Sequence, residues 1–337
     1  MDGGIAITVA GYPYDRVQGL AVEGCDIRFE SSSIGEMNTH VFDGPRTREV
    51  SEIGLLPYLI AYANSGFRDY VLIPVFPLRT FRHKSIFVRT DRGIERPEDL
   101  RGRRVGTPGY SMTSLTWIRG MLQHQYGVSP DEIEWVLSTG DSSAGVAGTR
   151  SAHEQLIPDG VQVTYGTPGK DESELLVDGE VDALFHGAEP QAFVEGNPLV
   201  RRLFADSRET ERQYFAETGI FPVAHGIAIR ADMIADAPWL PEAVFRGYAT
   251  AKQRALGRLR AMGWAMISLP WLGQEEEATR EVMGDNFWPY GIEQNRRTLD
   301  ALLQYAYEQG SLARELAADE IFHESTLALS DSPPDSA

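Results

Sequence analysis

The chain alternates short β-like runs with helix-like stretches, and this alternation, more than any single motif, limits what it can fold into. Residues 5–10, 26–30, 70–75, 85–89, 104–107, 133–137, 161–165, 183–185 and 226–229 read as strands. Between them lie helical stretches such as 111–126, where Leu115, Ile118, Met121 and Leu122 recur on one face. Interleaving of this kind builds α/β layers. From residue 241 to 316 the character changes to almost continuous amphipathic helix, interrupted at Leu269-Pro270-Trp271 and at Phe287-Trp288-Pro289-Tyr290-Gly291.

At 337 residues the chain suits two domains better than one. A net charge of −18 argues against a nucleic-acid partner, because a phosphate backbone would be repelled by most of the surface. It does not exclude an anionic ligand, since a few arginines can invert the field inside a cleft. The single cysteine, Cys25, rules out an internal disulfide and a cysteine-based metal cluster. No run reaches the roughly 18 apolar residues of a membrane span. Met1-Asp2-Gly3-Gly4 leads directly into a strand, with no basic or apolar leader, so a cytoplasmic location is expected. The polar, Pro-containing residues 331–337 read as a flexible tail. Association between copies of the chain is left open.

The stretch Glu95-Arg96-Pro97-Glu98-Asp99-Leu100-Arg101-Gly102 reads as a short helix with Pro in its first turn, acids at its N-terminus and Gly at its end. Arg104-Val105-Gly106 then opens a strand, and Pro108-Gly109-Tyr110-Ser111 leads to a helix beginning near Met112 or Thr113. A strand, a Gly-containing turn and a helix N-terminus together present free N–H groups to an anion. This module resembles the second-lobe entry of type II periplasmic-binding-protein folds.

Four blocks extend the resemblance, more specifically, to the 4,5-dihydroxyphthalate decarboxylases. They run from Ile73 through Arg79-Thr80-Phe81-Arg82 to His83; from Tyr110 to Trp117-Ile118-Arg119-Gly120; from Thr218-Gly219 to Ala224-His225; and from Asp285-Asn286 to Gly291, with Asn295-Arg296. The resemblance implies a two-lobed α/β protein. Residues 1–90 and 223–330 would form lobe one, with the C-terminal helices packed on it, and 91–222 would form lobe two. The crossings are expected near Arg89–Asp91 and at 221–226. It also implies a carboxy-lyase that converts a 4,5-dihydroxyphthalate-like acid to a protocatechuate-like product and CO2 in aromatic catabolism. The competing reading is a non-catalytic solute-binding or sensor protein for an aromatic or other organic acid. One departure stands out: Ala188-Glu189-Pro190 occupies a place where the family carries Arg-Ala-Pro.

Decarboxylating an electron-rich aromatic acid needs no cofactor, and none is expected. A hydroxyl para to the leaving carboxylate pushes electron density to the ring carbon, an acid protonates that carbon, and CO2 departs. The protein must anchor the acid groups and place a proton donor at the carbon. Arg79 and Arg82 are candidate anchors, because guanidinium forks match carboxylates, or else they belong to a solvated loop. His83 and His225 are candidate acids or bases; the alternatives are a histidine bonded to nearby backbone and a satisfied hinge histidine. Glu36, near a probable helix start, is a third candidate acid or a helix-end carboxylate. His186, after a strand, is a weaker candidate. Tyr110, Thr113, Trp117, Trp288 and Tyr290 are candidates for the cleft wall or for core. No pair of histidines has the spacing of a helical metal site, so no metal ligands are assigned.

Overall fold

A computed structural model of the chain describes residues 4–261 and 267–331. Among them eleven strands form two sheets: β1 (Ile5–Gly11), β2 (Cys25–Ser31), β3 (Val50–Gly54), β4 (Tyr70–Ile73), β5 (Ile86–Arg89), β6 (Arg104–Thr107), β7 (Glu134–Leu137), β8 (Val163–Tyr165), β9 (Ala183–Phe185), β10 (Val200–Arg202) and β11 (His225–Arg230). The first sheet has the order β2-β1-β3-β11-β4 and the second β10-β5-β9-β6-β7-β8. The fold is thus a two-lobed, periplasmic-binding-protein-like α/β architecture with a helical C-terminal region.

In the first sheet β2, β1 and β3 run parallel, while β11 enters antiparallel between β3 and β4. Strands β3 and β11, covered on both faces, have almost no exposed residue, as central strands require. The C-terminal helices share this lobe's core: Phe245 and Tyr248 from Leu240–Arg260, and Leu299 and Leu302 from Arg296–Glu308, pack in one cluster with Val50, Ile53 and Leu56.

The first crossing between lobes lies earlier than Arg89–Asp91. Strand β5, which a boundary at residue 90 assigns to lobe one, pairs with β9 and β10 in the second sheet. Its Ile-Phe-Val run is buried on both faces and needs a strand on either side. The chain therefore crosses between Ile73 and Ile86, and returns between Arg202 and His225. The two crossings run side by side as an antiparallel ribbon. Thr80 N–H donates to Pro222 O at 3.1 Å and Ala224 N–H to Leu78 O at 2.9 Å, with Arg79 bridged to Val223.

At the C-terminus, Asp331 is buried and accepts hydrogen bonds from Lys252 Nζ at 2.5 Å, Asn286 Nδ2 at 3.0 Å and Tyr290 N–H at 3.0 Å. The first residue of the expected flexible tail is therefore an anchor, because a buried ammonium needs a buried carboxylate. Residues 332–337 lie outside the described residues.

The lobes also meet through helices: α1 (Ile34–Phe42), α2 (Leu55–Ser65), α3 (Thr113–Tyr126) and α4 (Ala144–Ala147). Helix α3 lies so close to Arg296–Glu308 that a Cβ on Gly120 would stand 2.0 Å from a ring atom of Tyr305. Gly120→Ala should therefore destabilise the protein by about 1–3 kcal/mol, despite alanine's better helix propensity. A urea unfolding curve with an unchanged midpoint would contradict this close approach.

Candidate active site

A cavity of about 300 Å³ lies where the two lobes face each other. Tyr12, Tyr14 and Gly54 line it from lobe one, Arg82 and His225 from the ends of the crossing ribbon, and Thr113, Ser114 and His186 from lobe two. A space of this size, largely apolar with a few convergent polar groups, suits a small ring-bearing ligand.

His225 opens β11 and Glu52 lies in the middle of β3. Their register, with His225 opposite Gly54 and Ile227 opposite Glu52, makes them a diagonal cross-strand pair. His225 Nδ1 lies 2.5 Å from Glu52 Oε1, and the carboxylate is buried. Tyr14 Oη donates to the same oxygen at 2.9 Å, and Tyr12 N–H to Oε2 at 3.1 Å. An ionised carboxylate only accepts, so Nδ1 carries the proton toward Glu52 and Nε2 is the nitrogen left for the cavity. The Tyr12 ring stacks on the imidazole at 6.3 Å. Burial first, and the charge of Glu52 with it, raise the pKa of both Tyr12 and Tyr14, so both phenols stay protonated at neutral pH.

Arg82 is buried at the cavity wall. Its Nη1 donates to Gly187 O at 3.1 Å, while its Nε has no partner among the described residues. Burial lowers its pKa to about 10, which leaves it charged at neutral pH. Thr113 and Ser114 begin α3, whose first-turn N–H groups no helix satisfies internally. Thr113 Oγ1 accepts from Leu56 N–H at 3.0 Å and ties this helix start to α2. A guanidinium and a helix N-terminus are thus two anion-binding elements on one cavity.

A loop of lobe two closes over this space. Tyr12 Oη accepts from Ile34 N–H at 2.8 Å and donates to Val146 O at 3.1 Å, so one phenol spans from α1 to α4. Gly148, at φ +77°, follows α4, and a Cβ there would meet Ser33 Oγ.

The structure places the remaining sequence candidates away from the cavity. Arg79 donates to Pro289 O at 3.1 Å and Phe221 O at 2.7 Å and lies over the Phe221 ring, so it fastens the crossing ribbon to the 287–291 loop. His83 is buried among Tyr126, Phe204 and Tyr214, with neither ring nitrogen bonded among the described residues. Glu36 is half-exposed; Ser32 and Arg48 hydrogen-bond its carboxylate and lower its pKa. Trp117 is core and donates to Val223 O at 2.7 Å. Tyr110 is buried under the Arg119 guanidinium and against Trp135, Trp288 donates to Phe76 O, and Tyr290 is fully buried. Glu52, Tyr12 and Tyr14 carried no signal in the sequence reading. The alternation Tyr12-x-Tyr14 directly after a strand was the one available hint.

Comparison with known proteins bears on this arrangement. A family model described as NMT1/THI5 like matches residues 78–153, the span from the ribbon through the closing loop. A 4,5-dihydroxyphthalate decarboxylase of Comamonas testosteroni is 32% identical over 331 residues, covering 96% of this chain and 98% of its own. The chain belongs to the 4,5-dihydroxyphthalate decarboxylase family. A second member, from Pseudomonas putida, is 32% identical over 50% of this chain and 63% of its own length. Among solved structures, the periplasmic aliphatic sulphonate binding protein SsuA of Escherichia coli superposes with a TM-score of 0.53 at 14% identity, covering 96% of this chain and 98% of its own. The corresponding SsuA of Methylobacillus flagellatus gives 0.57 at 12%, covering 97% and 94%. These two likenesses show the shared fold.

At the point of departure from the family's Arg-Ala-Pro, Ala188 lines the cavity and bonds His186 through its backbone, while Glu189 pairs outward with Arg202 at 2.9 Å. Residues 188–190 therefore contribute no guanidinium to the cavity. No helix among the described residues is long and apolar enough to cross a membrane.

Burial lowers the pKa of His83 to about 4, so it is neutral in the fold, whereas in the unfolded chain it titrates near ~6.5. As pH falls through that interval the unfolded state takes up the proton first, and stability is lost. Between pH 7 and pH 5 the wild type should lose about 2 kcal/mol more than a His83→Leu variant. Urea unfolding at the two pH values measures it, and parallel losses would contradict the buried, neutral imidazole.

Proposed function

We propose that the chain decarboxylates a hydroxylated aromatic acid of the 4,5-dihydroxyphthalate kind, giving a protocatechuate-like product and CO2 in aromatic catabolism. The observation that carries the proposal is the His225–Glu52 pair facing a ring-sized cavity that also holds two anion-binding elements. The names of the 32% identical relatives agree with it.

In this reading Arg82 and the first turn of α3 take the two carboxylates, and the apolar walls hold the ring. The hydroxyl para to the leaving carboxylate donates electron density to the ring carbon. His225, protonated and held by Glu52, delivers its proton from Nε2 to that carbon. The carbon–carboxylate bond then breaks, its electron pair restores the aromatic ring, and CO2 leaves. Net, one proton is taken up and one CO2 is released, and the imidazole regains its proton from solvent. Glu52 acts through His225 by fixing its tautomer and the orientation of its ring. Tyr12 closes α4 over the site and helps keep water from the ring. Arg79, His83 and Glu36 have supporting places in this scheme and no chemical step.

A protein that only binds such an acid is the competing reading, and its fold would be the same. The buried carboxylate–imidazole pair favours the enzyme, since binding an anion does not need a positioned proton donor.

Incubating the protein with 4,5-dihydroxyphthalate and following CO2 release separates the two. Turnover is expected, and stoichiometric binding without CO2 would establish the binding protein instead. His225→Gln should lower kcat by roughly 10²–10⁴-fold with ligand binding retained. Arg82→Lys should chiefly raise KM, because it keeps the charge and loses the fork. A loss of less than about threefold in His225→Gln would remove this histidine from the proton transfer.

A further inference from the structure

Beside the cavity, in lobe two, lies a second group of buried polar side chains that the reaction above does not use. Asp141 follows β7, Glu172 follows β8 and His186 follows β9, so all three project from the C-terminal ends of parallel strands of one sheet. That edge of a parallel sheet is where α/β folds place ligands. No two of the three are near in sequence, which is why spacing gave no sign of them.

Each residue offers one ligand atom, and the three atoms lie within 4.8 Å of one another. His186 Nε2 is 3.4 Å from Asp141 Oδ1 and 3.4 Å from Glu172 Oε1. That is long for hydrogen bonds, which centre near ~2.9–3.0 Å, and one N–H cannot point at both oxygens. It is, however, the edge of about 3.4 Å that a tetrahedron has when its bonds to a central ion are about 2.1 Å.

The surroundings have the form of a metal's supporting shell. His186 Nδ1 lies 2.9 Å from Ala188 O and 3.0 Å from Ala188 N, so the backbone of one residue fixes the orientation of the ring. Ser143 N–H and Oγ donate to Asp141 Oδ1 at 2.8 and 2.7 Å, and Ser138 and Ser142 bond Glu172. Among the described residues Asp141 Oδ2 is buried without a hydrogen bond, and Arg150 Nε stands 3.8 Å from it. The side chains of Glu172 and His186 are 0% and 1% exposed and that of Asp141 6%. Two carboxylates buried so deeply need positive charge close by.

We propose that Asp141, Glu172 and His186 form a binding site for one divalent cation of the Mn2+/Zn2+ class, whose remaining positions are filled by water or by an oxygen of a ligand in the adjacent cavity. Two carboxylate oxygens and one imidazole nitrogen match that class, whereas Mg2+ and Ca2+ favour all-oxygen shells. This inference does not depend on the reading of the reaction.

The test uses the full chain, stripped with a chelator and titrated with Mn2+, with free Mn2+ followed by electron paramagnetic resonance. One tightly held Mn2+ per chain is expected, with a nitrogen coupling from the coordinated imidazole and displacement by Zn2+. Glu172→Gln and His186→Gln should each weaken binding at least about 10-fold, and His225→Gln should leave it unchanged. The proposal is overturned if the wild type holds no Mn2+ at millimolar concentration, or if the bound ion shows no nitrogen coupling. Equal affinity in wild type and Glu172→Gln would also overturn it. The first two results need no variant, so a failure of a variant to fold does not rescue the proposal.

Discussion

The structure turns on a carboxylate buried in the middle of a sheet. Glu52 sits on β3, flanked by β1 and β11, where its charge is stable only because donors from three directions converge on it. Tyr12 and Tyr14 come from the turn after β1, and His225 from the first residue of β11. Satisfying one buried charge therefore fixes three segments relative to each other, including the point where the chain re-enters lobe one. An imidazole oriented at the mouth of the cavity is the by-product of that arrangement.

The crossing ribbon extends the constraint to the other lobe. Backbone bonds between Leu78–Thr80 and Pro222–Ala224, fastened by Arg79 to the 287–291 loop, place Arg82 and His225 on the same cavity. Lobe two then brings the start of α3 and the α4 loop to the opposite side, with Tyr12 bonded across the gap. Groups far apart in sequence thus converge on one cavity, and the α4 loop approaches Ser33 so closely at Gly148 that a Cβ there would collide with it.

Much of the fold was legible in the sequence, because strands buried on one or both faces announce themselves by apolar runs of the right length. Strand β3 was not, since Val50-Ser51-Glu52-Ile53-Gly54 has polar residues at its centre and no alternation. The same polarity that hid the strand is its function, so the missing strand and the missing carboxylate are one omission. Strand β5 was seen, but an isolated apolar run does not say which sheet will pair with it. For the site, Arg79 and Arg82 are equivalent as letters in a Pro-containing segment, and only tertiary structure turns one to backbone carbonyls and the other to the cavity. His83 and His225 likewise look alike until burial among aromatic rings separates a neutral packed imidazole from one held by a carboxylate. The Asp141, Glu172 and His186 cluster is built by sheet topology alone.

The central claim, that Glu52 works through His225 and not as an independent group, is tested most directly by a double-mutant cycle on turnover of 4,5-dihydroxyphthalate. Glu52→Gln, His225→Gln and the double variant are compared with the wild type, with folding checked by circular dichroism. If the two residues act as one unit, the double variant is no slower than His225→Gln alone, giving a coupling energy of about 1–3 kcal/mol. Losses that multiply, so that the double variant falls by the product of the two single effects, would contradict the account.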